Sequence, residues 1–421
     1  MLETYFVKPQ TIDRVRASWI GPQIEQYVSW LAGQGYSARC VWRRVPLLAA
    51  FGEFARRNGA RSLADLPGHV DAFVDSRVSK SRRARRRVGP TFAKDTRGPV
   101  EQLLELVLPG FRAAGRPQHH VPFADALPGF FEYLTSERGL RPTSVASYQH
   151  HLVRFEAWLG RAGVAGLGEL SPALLSAFIA ERSAAGLAKT TIREGCSALR
   201  VFLRYAHREG VVAGGLWKSV EWPLVYRLAD IPRSISWEEV GKVLAVVDRR
   251  TPCGKRDFAI LLLLVTYGLR AREIAALTLD DIDWRRGRLA IPERKAGHST
   301  AFPLSRAAGE ALADYLRHGR PESPDRHVFF RAVAPLQPLR ADAISSCARR
   351  YLLRAGIQVA RPGSHTLRHS TVQRLVDTGF SLKTIGDFAG HRSPASTEIY
   401  AKVAVESLRQ VALGDGEEAL R

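Results

Sequence analysis

With 421 residues, 45% of them apolar, the chain has ample material for packing and is too long for one ordinary core, so two or three domains are expected. Its 62 Lys+Arg against 41 Asp+Glu give a formal charge of +21, which points to a polyanionic partner, nucleic acid first and an anionic membrane second. The longest apolar run, FAILLLLVTYGL at 258–269, is 12 residues against the roughly 20 that a bilayer-spanning helix needs, so it reads as a buried helix and no membrane partner is expected.

The opening MLETYFVKPQ lacks a basic start, an apolar stretch and a small-residue cleavage site, so secretion is unsupported and a cytoplasmic protein is expected. Cys40, Cys196, Cys253 and Cys347 are far apart and form no C-x-x-C, which argues against a disulfide frame or a zinc site.

In chain order, residues 1–20 read as an N-terminal segment and 21–115 as a helical module. The chain matches itself without gaps at an offset of 104 residues, from about 27 to 78. Leu48, Phe51 and Phe54 face Leu152, Phe155 and Trp158, and Gly35 and Gly59 face Gly139 and Gly163. Apolar residues recur every three or four positions in both copies, as in amphipathic helices ended by glycine. An insert at 79–97 interrupts the first copy. Lys80, Arg82, Arg83, Arg85, Arg86 and Arg87 crowd too many like charges to pack, so a mobile, phosphate-contacting arm is expected there. The second copy, 116–215, continues into a further helix through Ile192, Leu199, Phe202 and Leu203.

The composition changes after Arg208 to GVVAGGLWKSVEWPLVYRLADIPRS, rich in Gly, Pro and aromatics, and residues 216–235 read as a linker. A third domain, 236–421, opens on a capping box, Ser236 with Glu239. Its carboxylates Asp280, Asp281 and Asp283 precede a strand and read as turn formers rather than a metal site. The stretch RLAIPERKAGHSTAFPLS alternates on both sides of an Ala-Gly turn, which predicts a β-hairpin with Lys295 at its tip. In GSHTLRHS, His365 and Arg368 are three apart and share a helix face. Taken singly, Arg270, Lys295, His365 and Tyr400 are an ordinary capping arginine, a turn lysine, a surface histidine and a packing tyrosine.

Taken in order, GLRAREIAAL, the hairpin lysine, HTLRHS and GHRSPASTEIY behind a helical module resemble the tyrosine recombinases, the phage integrase family, over about residues 120–410. The resemblance implies a mainly α fold with a small β-sheet: α-helical core-binding modules, then a mixed α+β catalytic domain. It implies the catalytic set Arg270, Lys295, His365, Arg368, His391 and Tyr400, with Glu273 and His369 in support. Double-stranded DNA would be the substrate, with no small-molecule substrate, cofactor or metal. A homotetramer would exchange C-terminal segments, here 401–421.

In that chemistry two arginines clamp the non-bridging phosphate oxygens in a way lysines do not reproduce. His391 adds a donor, His365 serves as base for the phenol, and Lys295 protonates the departing 5′-oxygen. A 3′-phosphotyrosine conserves the bond, so a site-specific recombinase of a prokaryotic mobile element is the leading expectation. A type IB-like topoisomerase and a catalytically silent DNA-binding architectural protein are the alternatives.

Overall fold

The computed structural model describes residues 1–83, 91–113, 120–224, 234–292, 299–391 and 394–401. Its helices are α1 (Pro9–Arg16), α2 (Gly21–Gly33), α3 (Ala38–Arg57), α4 (Val70–Arg83), α5 (Phe92–Val107), α6 (Phe130–Ser136), α7 (Pro142–Arg161), α8 (Pro172–Ala184) and α9 (Lys189–Arg208). These are followed by α10 (Trp237–Ala245), α11 (Pro252–Tyr267), α12 (Ala271–Ala275), α13 (Arg306–His318), α14 (Ala341–Arg354), α15 (Ser364–Asp377), α16 (Leu382–Ala389) and α17 (Ala395–Ala401). Strands β1 (Ile282–Asp283), β2 (Arg288–Ile291) and β3 (Thr300–Pro303) form one antiparallel sheet in that order. The chain divides into two compact units, 1–113 with 230–421, and 114–229. Among the described residues no helix is long and apolar enough to cross a membrane.

Helices α3 and α7 start and stop 104 residues apart. Leu48, Phe51, Leu152 and Phe155 are all buried at matching positions, and Gly35, Gly59, Gly139 and Gly163 all adopt positive φ after their helices. Each copy has its own apolar core: Tyr27, Leu31, Leu48 and Phe51 in the first, Phe130, Leu152, Phe155 and Phe202 in the second.

Three boundaries differ from the sequence reading. Residues 1–20 are not a bare segment, because Leu2, Ile12 and Val15 enter the first core. The insert is shorter than 79–97: α4 carries Lys80 in its last turn and α5 begins at Phe92, with Thr96 already buried. Helix propagation from both packed ends overrides the local charge repulsion. Arg85, Arg86 and Arg87, and the side chains of Arg82 and Arg83, lie outside the described residues. The linker starts later than 216, since Leu216 and Val220 pack in the second core and Arg200 donates to the Val220 carbonyl at 2.9 Å.

In the C-terminal part of the first unit, Ser236 and Glu239 form the expected reciprocal cap, with bonds of 2.8 and 3.1 Å. Helix α11 is buried along most of its length, which explains why it shows no polar face. The sheet lies against it in the register Leu289↔Phe302 and Ile291↔Thr300, with Leu289, Ile291 and Phe302 in the core. The hydroxyl of Tyr267, at the end of α11, donates to the Pro303 carbonyl at 3.0 Å and accepts from the Ser305 amide at 2.8 Å, which fixes the hairpin's base. Phe302 then stacks edge-on against Phe388 of α16, with centroids 5.3 Å apart.

Candidate active site

The site is built at the ends of helices. Helix α11 terminates at Gly268, whose φ of 58° is a left-handed turn that favours glycine. The chain then delivers Arg270 to the start of α12. The buried Glu273 carboxylate accepts from both the Arg270 backbone amide, at 2.8 Å, and its Nη1, at 2.9 Å. Arg270 Nη2 donates to the Gly390 carbonyl at 2.9 Å.

Helix α15 supplies the second arginine. Its back is fastened by Thr371, whose hydroxyl donates to the Val265 carbonyl at 3.0 Å, and by Ser370, which accepts from the Ile235 amide at 2.8 Å. The buried Arg368 donates from Nη1 to the Gly268 carbonyl and from Nη2 to the Ala389 carbonyl at 2.6 Å. The two guanidinium groups therefore grip consecutive carbonyls at the C-terminal end of α16, whose partial negative charge suits them. Gly390, at φ 62°, ends that helix and releases His391.

Helix α17 carries Tyr400, which is 2% exposed and packs with Val372, Ile385 and Ala389. Its hydroxyl is hydrogen-bonded to Nδ1 of His369. Burial pushes the phenol up to about 12, and the cations Arg368 and Arg270 pull in the opposite direction. His391 lies parallel to the Tyr400 ring, with centroids 6.5 Å apart, and its Nδ1 is hydrogen-bonded to the Thr397 hydroxyl at 2.8 Å.

Of the residues singled out from the sequence, Arg270, Arg368, His391 and Tyr400 converge, together with Glu273 and His369. His365 is the base for the phenol expected from the sequence, whereas the imidazole hydrogen-bonded to the hydroxyl is that of His369, one helical turn further on. The rings of His365 and His369 are 6.2 Å apart. His365 has its pKa lowered by desolvation, then by Arg368 and Arg270, which favours its neutral form. Lys295 and the segment 402–421 lie outside the described residues, whereas the strands flanking the hairpin tip are in place. Thr397 was not singled out from the sequence. Its position three residues before Tyr400, one helical turn away on the same helix, was the available signal.

The acidic cluster is spent on local structure. Asp281 accepts from the Thr278 amide and hydroxyl, at 2.8 and 2.7 Å, and Asp280 pairs with Arg326. Asp283 accepts from the Arg285 and Arg286 amides at 3.1 and 2.9 Å.

Two arginines, flanking histidines and a tyrosine are grouped around the end of one helix, in a mainly helical domain with a three-stranded sheet, as expected of a tyrosine recombinase catalytic domain. The profile of the phage integrase family matches residues 233–407, and that of the phage integrase N-terminal SAM-like domain matches 127–210. The Sinorhizobium fredii integrase/recombinase y4rA is 31% identical over 97% of this chain and 98% of its own length. Tyrosine recombinase XerC of Pelotomaculum thermopropionicum is 29% identical over 67% of this chain and 94% of its own. Among solved structures, the XerH site-specific recombinase bound to palindromic difH substrate has a TM-score of 0.55 at 20% identity, covering 65% of this chain and 80% of that one. That likeness is one of fold. The chain belongs to the phage integrase family and is a tyrosine site-specific recombinase.

Proposed function

We propose that this recombinase cuts DNA by attack of the Tyr400 oxygen on a phosphodiester held by Arg270 and Arg368. The Oη–P bond forms as the P–O5′ bond breaks, leaving a 3′-phosphotyrosine and a 5′-hydroxyl, and the reverse reaction with a new 5′-hydroxyl rejoins the strand. The phenol proton passes to His369, with His365 one turn beyond as the route to the surface, and Lys295 protonates the departing oxygen. His391 donates to a non-bridging oxygen. The observation that carries this reading is that both guanidinium groups and the phenol meet at the end of α16.

The buried hydroxyl supports a second part of the reading. Attack on DNA needs the phenol to be uncovered while α17 stays beside His369 and His391, and assembly of a homotetramer that exchanges 401–421 would supply that adjustment. Isolated subunits then cleave little. The substrate is double-stranded DNA, the relatives are bacterial, and the setting is the nucleoid in a prokaryotic cytoplasm, with a mobile genetic element as carrier.

The test is denaturing electrophoresis with a nicked duplex drawn from a binding-enriched pool. Wild type should form a covalent adduct that Tyr400→Phe does not, and an adduct surviving that substitution would sink the assignment. A two-site plasmid separates a recombinase, which yields rearranged circles, from a topoisomerase, which only relaxes them.

A further inference from the structure

The first helical module, absent from the matched SAM-like region at 127–210, has an exposed face that the cleavage chemistry does not use. On α3 the outward positions Arg39, Arg43, Pro46, Ala50 and Arg57 follow helical spacing along one side. The positions 104 residues later on α7, Thr143, Ser147, His150, Arg154 and Arg161, are exposed in the same pattern. Neither set contains a carboxylate, in a chain that carries 41 Asp and Glu. The single acid of each helix, Glu53 or Glu156, is turned partly inward.

The first copy is the more cationic of the two. Residues 1–113 hold nineteen Lys and Arg against ten Asp and Glu, whereas residues 120–224 hold eleven against nine. Where α7 has Thr143 and Ser147, α3 has Arg39 and Arg43. Between these arginines the Trp42 ring is 52% exposed, although its Nε1 is fixed by a 2.6 Å bond to the Tyr5 carbonyl. Arg44 is turned away from this face and donates to Tyr27 Oη and Gln102 Oε1, both at 2.8 Å.

This face is also anchored to the compact unit that carries the catalytic residues. Just upstream, the Gln34 carbonyl accepts from the Leu336 amide at 3.1 Å. Leu336 covers Gly35 so closely that a Cβ there would lie 2.4 Å from its Cδ1.

We infer that the α3 face of Arg39, Trp42 and Arg43 is a second DNA-backbone site, outside the catalytic centre and contacting phosphates of the same duplex. Two exposed guanidinium groups one helical turn apart, with no acid among them, match a phosphate backbone, and the Trp42 indole beside them, held by its bond to Tyr5, offers an apolar surface to the sugars. The inference rests on the reading that this chain acts on DNA.

The experiment is fluorescence anisotropy of the full chain with a long random-sequence duplex across a salt series, for wild type, Arg39→Ala/Arg43→Ala and Arg39→Lys/Arg43→Lys. Losing two phosphate contacts should lower the slope of log K against log salt by about 2. Affinity at low salt should fall more than about tenfold, with the thermal melt unchanged and the lysine pair near wild type. An unchanged slope in the alanine pair, while wild type binds, overturns this site and leaves the catalytic reading intact. Altered self-association by light scattering with an unchanged slope also overturns it, in favour of a contact with a second copy. Failure of wild type to bind any duplex would instead defeat the underlying reading.

Discussion

The hydroxyl of Thr397 lies 2.8 Å from Nδ1 of His391, and Thr397 sits one helical turn before Tyr400 on α17. The helix that carries the proposed nucleophile therefore also holds a histidine beside the two arginines proposed to clamp the phosphate. In the tautomer whose Nδ1 accepts from the Thr397 hydroxyl, a neutral His391 carries its proton on Nε2, where it can donate to a phosphate oxygen. Undocking α17 breaks this bond together with the Tyr400 contact, so nucleophile and donor are set as one piece.

Thr397→Val keeps the buried shape and removes the hydroxyl. Its loss should cost about 1 kcal/mol, a five- to tenfold slower covalent adduct formation on a nicked duplex. Thr397→Ser should retain most of the rate. DNA affinity should not move in either variant, because the change lies in the tautomer of one donor. A valine variant with the wild-type rate would show that the bond does not orient His391.

The buried phenol makes docking of α17 depend on pH. Docked Tyr400 ionises at about 12, against the ordinary value of 10 once undocked. Below about pH 10 both forms are protonated and docking is unaffected. Between those values only the undocked phenol ionises, so docking weakens roughly tenfold per pH unit as pH rises. The phenolate absorbance of wild type minus that of Tyr400→Phe isolates this residue. Its midpoint should lie well above 10, and an ordinary tyrosine midpoint would mean that the ring is not seated against Val372 and Ile385.

Much of this arrangement is legible in the sequence because it follows from local spacing. The 3–4 periodicity and the recurring glycines specify α3 and α7 and their relationship. R-x-x-E puts Glu273 one turn after Arg270, and H-x-x-R puts two site residues on one helix. The choice between His365 and His369 is not legible, since both are on α15 and the seat of α17, a long-range packing event, decides which imidazole meets the phenol. The Thr397 bond depends on the same docking, in which Gly386 leaves room, with a Cβ there only 3.1 Å from Thr397 Oγ1. Residues 216–220 mislead because they follow Gly210, Gly214 and Gly215 and precede Pro223, a context that resembles a linker, while Leu216 and Val220 have a core to enter.

Arg368→Lys tests whether geometry or charge holds the clamp. The guanidinium bridges the Gly268 and Ala389 carbonyls, which lie on different elements, and a lysine ammonium is a single point of donors unable to span both. Adduct formation should fall by about two orders of magnitude or more. The melting temperature should fall as well, since a buried carbonyl loses its donor. A lysine variant that cleaves at the wild-type rate would mean that charge alone suffices.

Glu273→Gln separates orientation of Arg270 from its charge. Both carboxylate oxygens accept, one from the Arg270 amide and one from Nη1. An amide side chain offers one acceptor and one donor, so whichever way it turns, an N–H faces an N–H. Arg270 also loses the negative charge that holds it, though it keeps the bond to the Gly390 carbonyl. The expected outcome is adduct formation slowed about 10- to 100-fold and stability lowered by about 1–3 kcal/mol. DNA affinity should stay close to wild type, because surface contacts set it. Glu273→Asp keeps two acceptors on a shorter arm and should fall between the two in rate. If the glutamine variant lost DNA binding and cleavage in equal proportion, Glu273 would be supporting the fold of α12 rather than aiming the arginine.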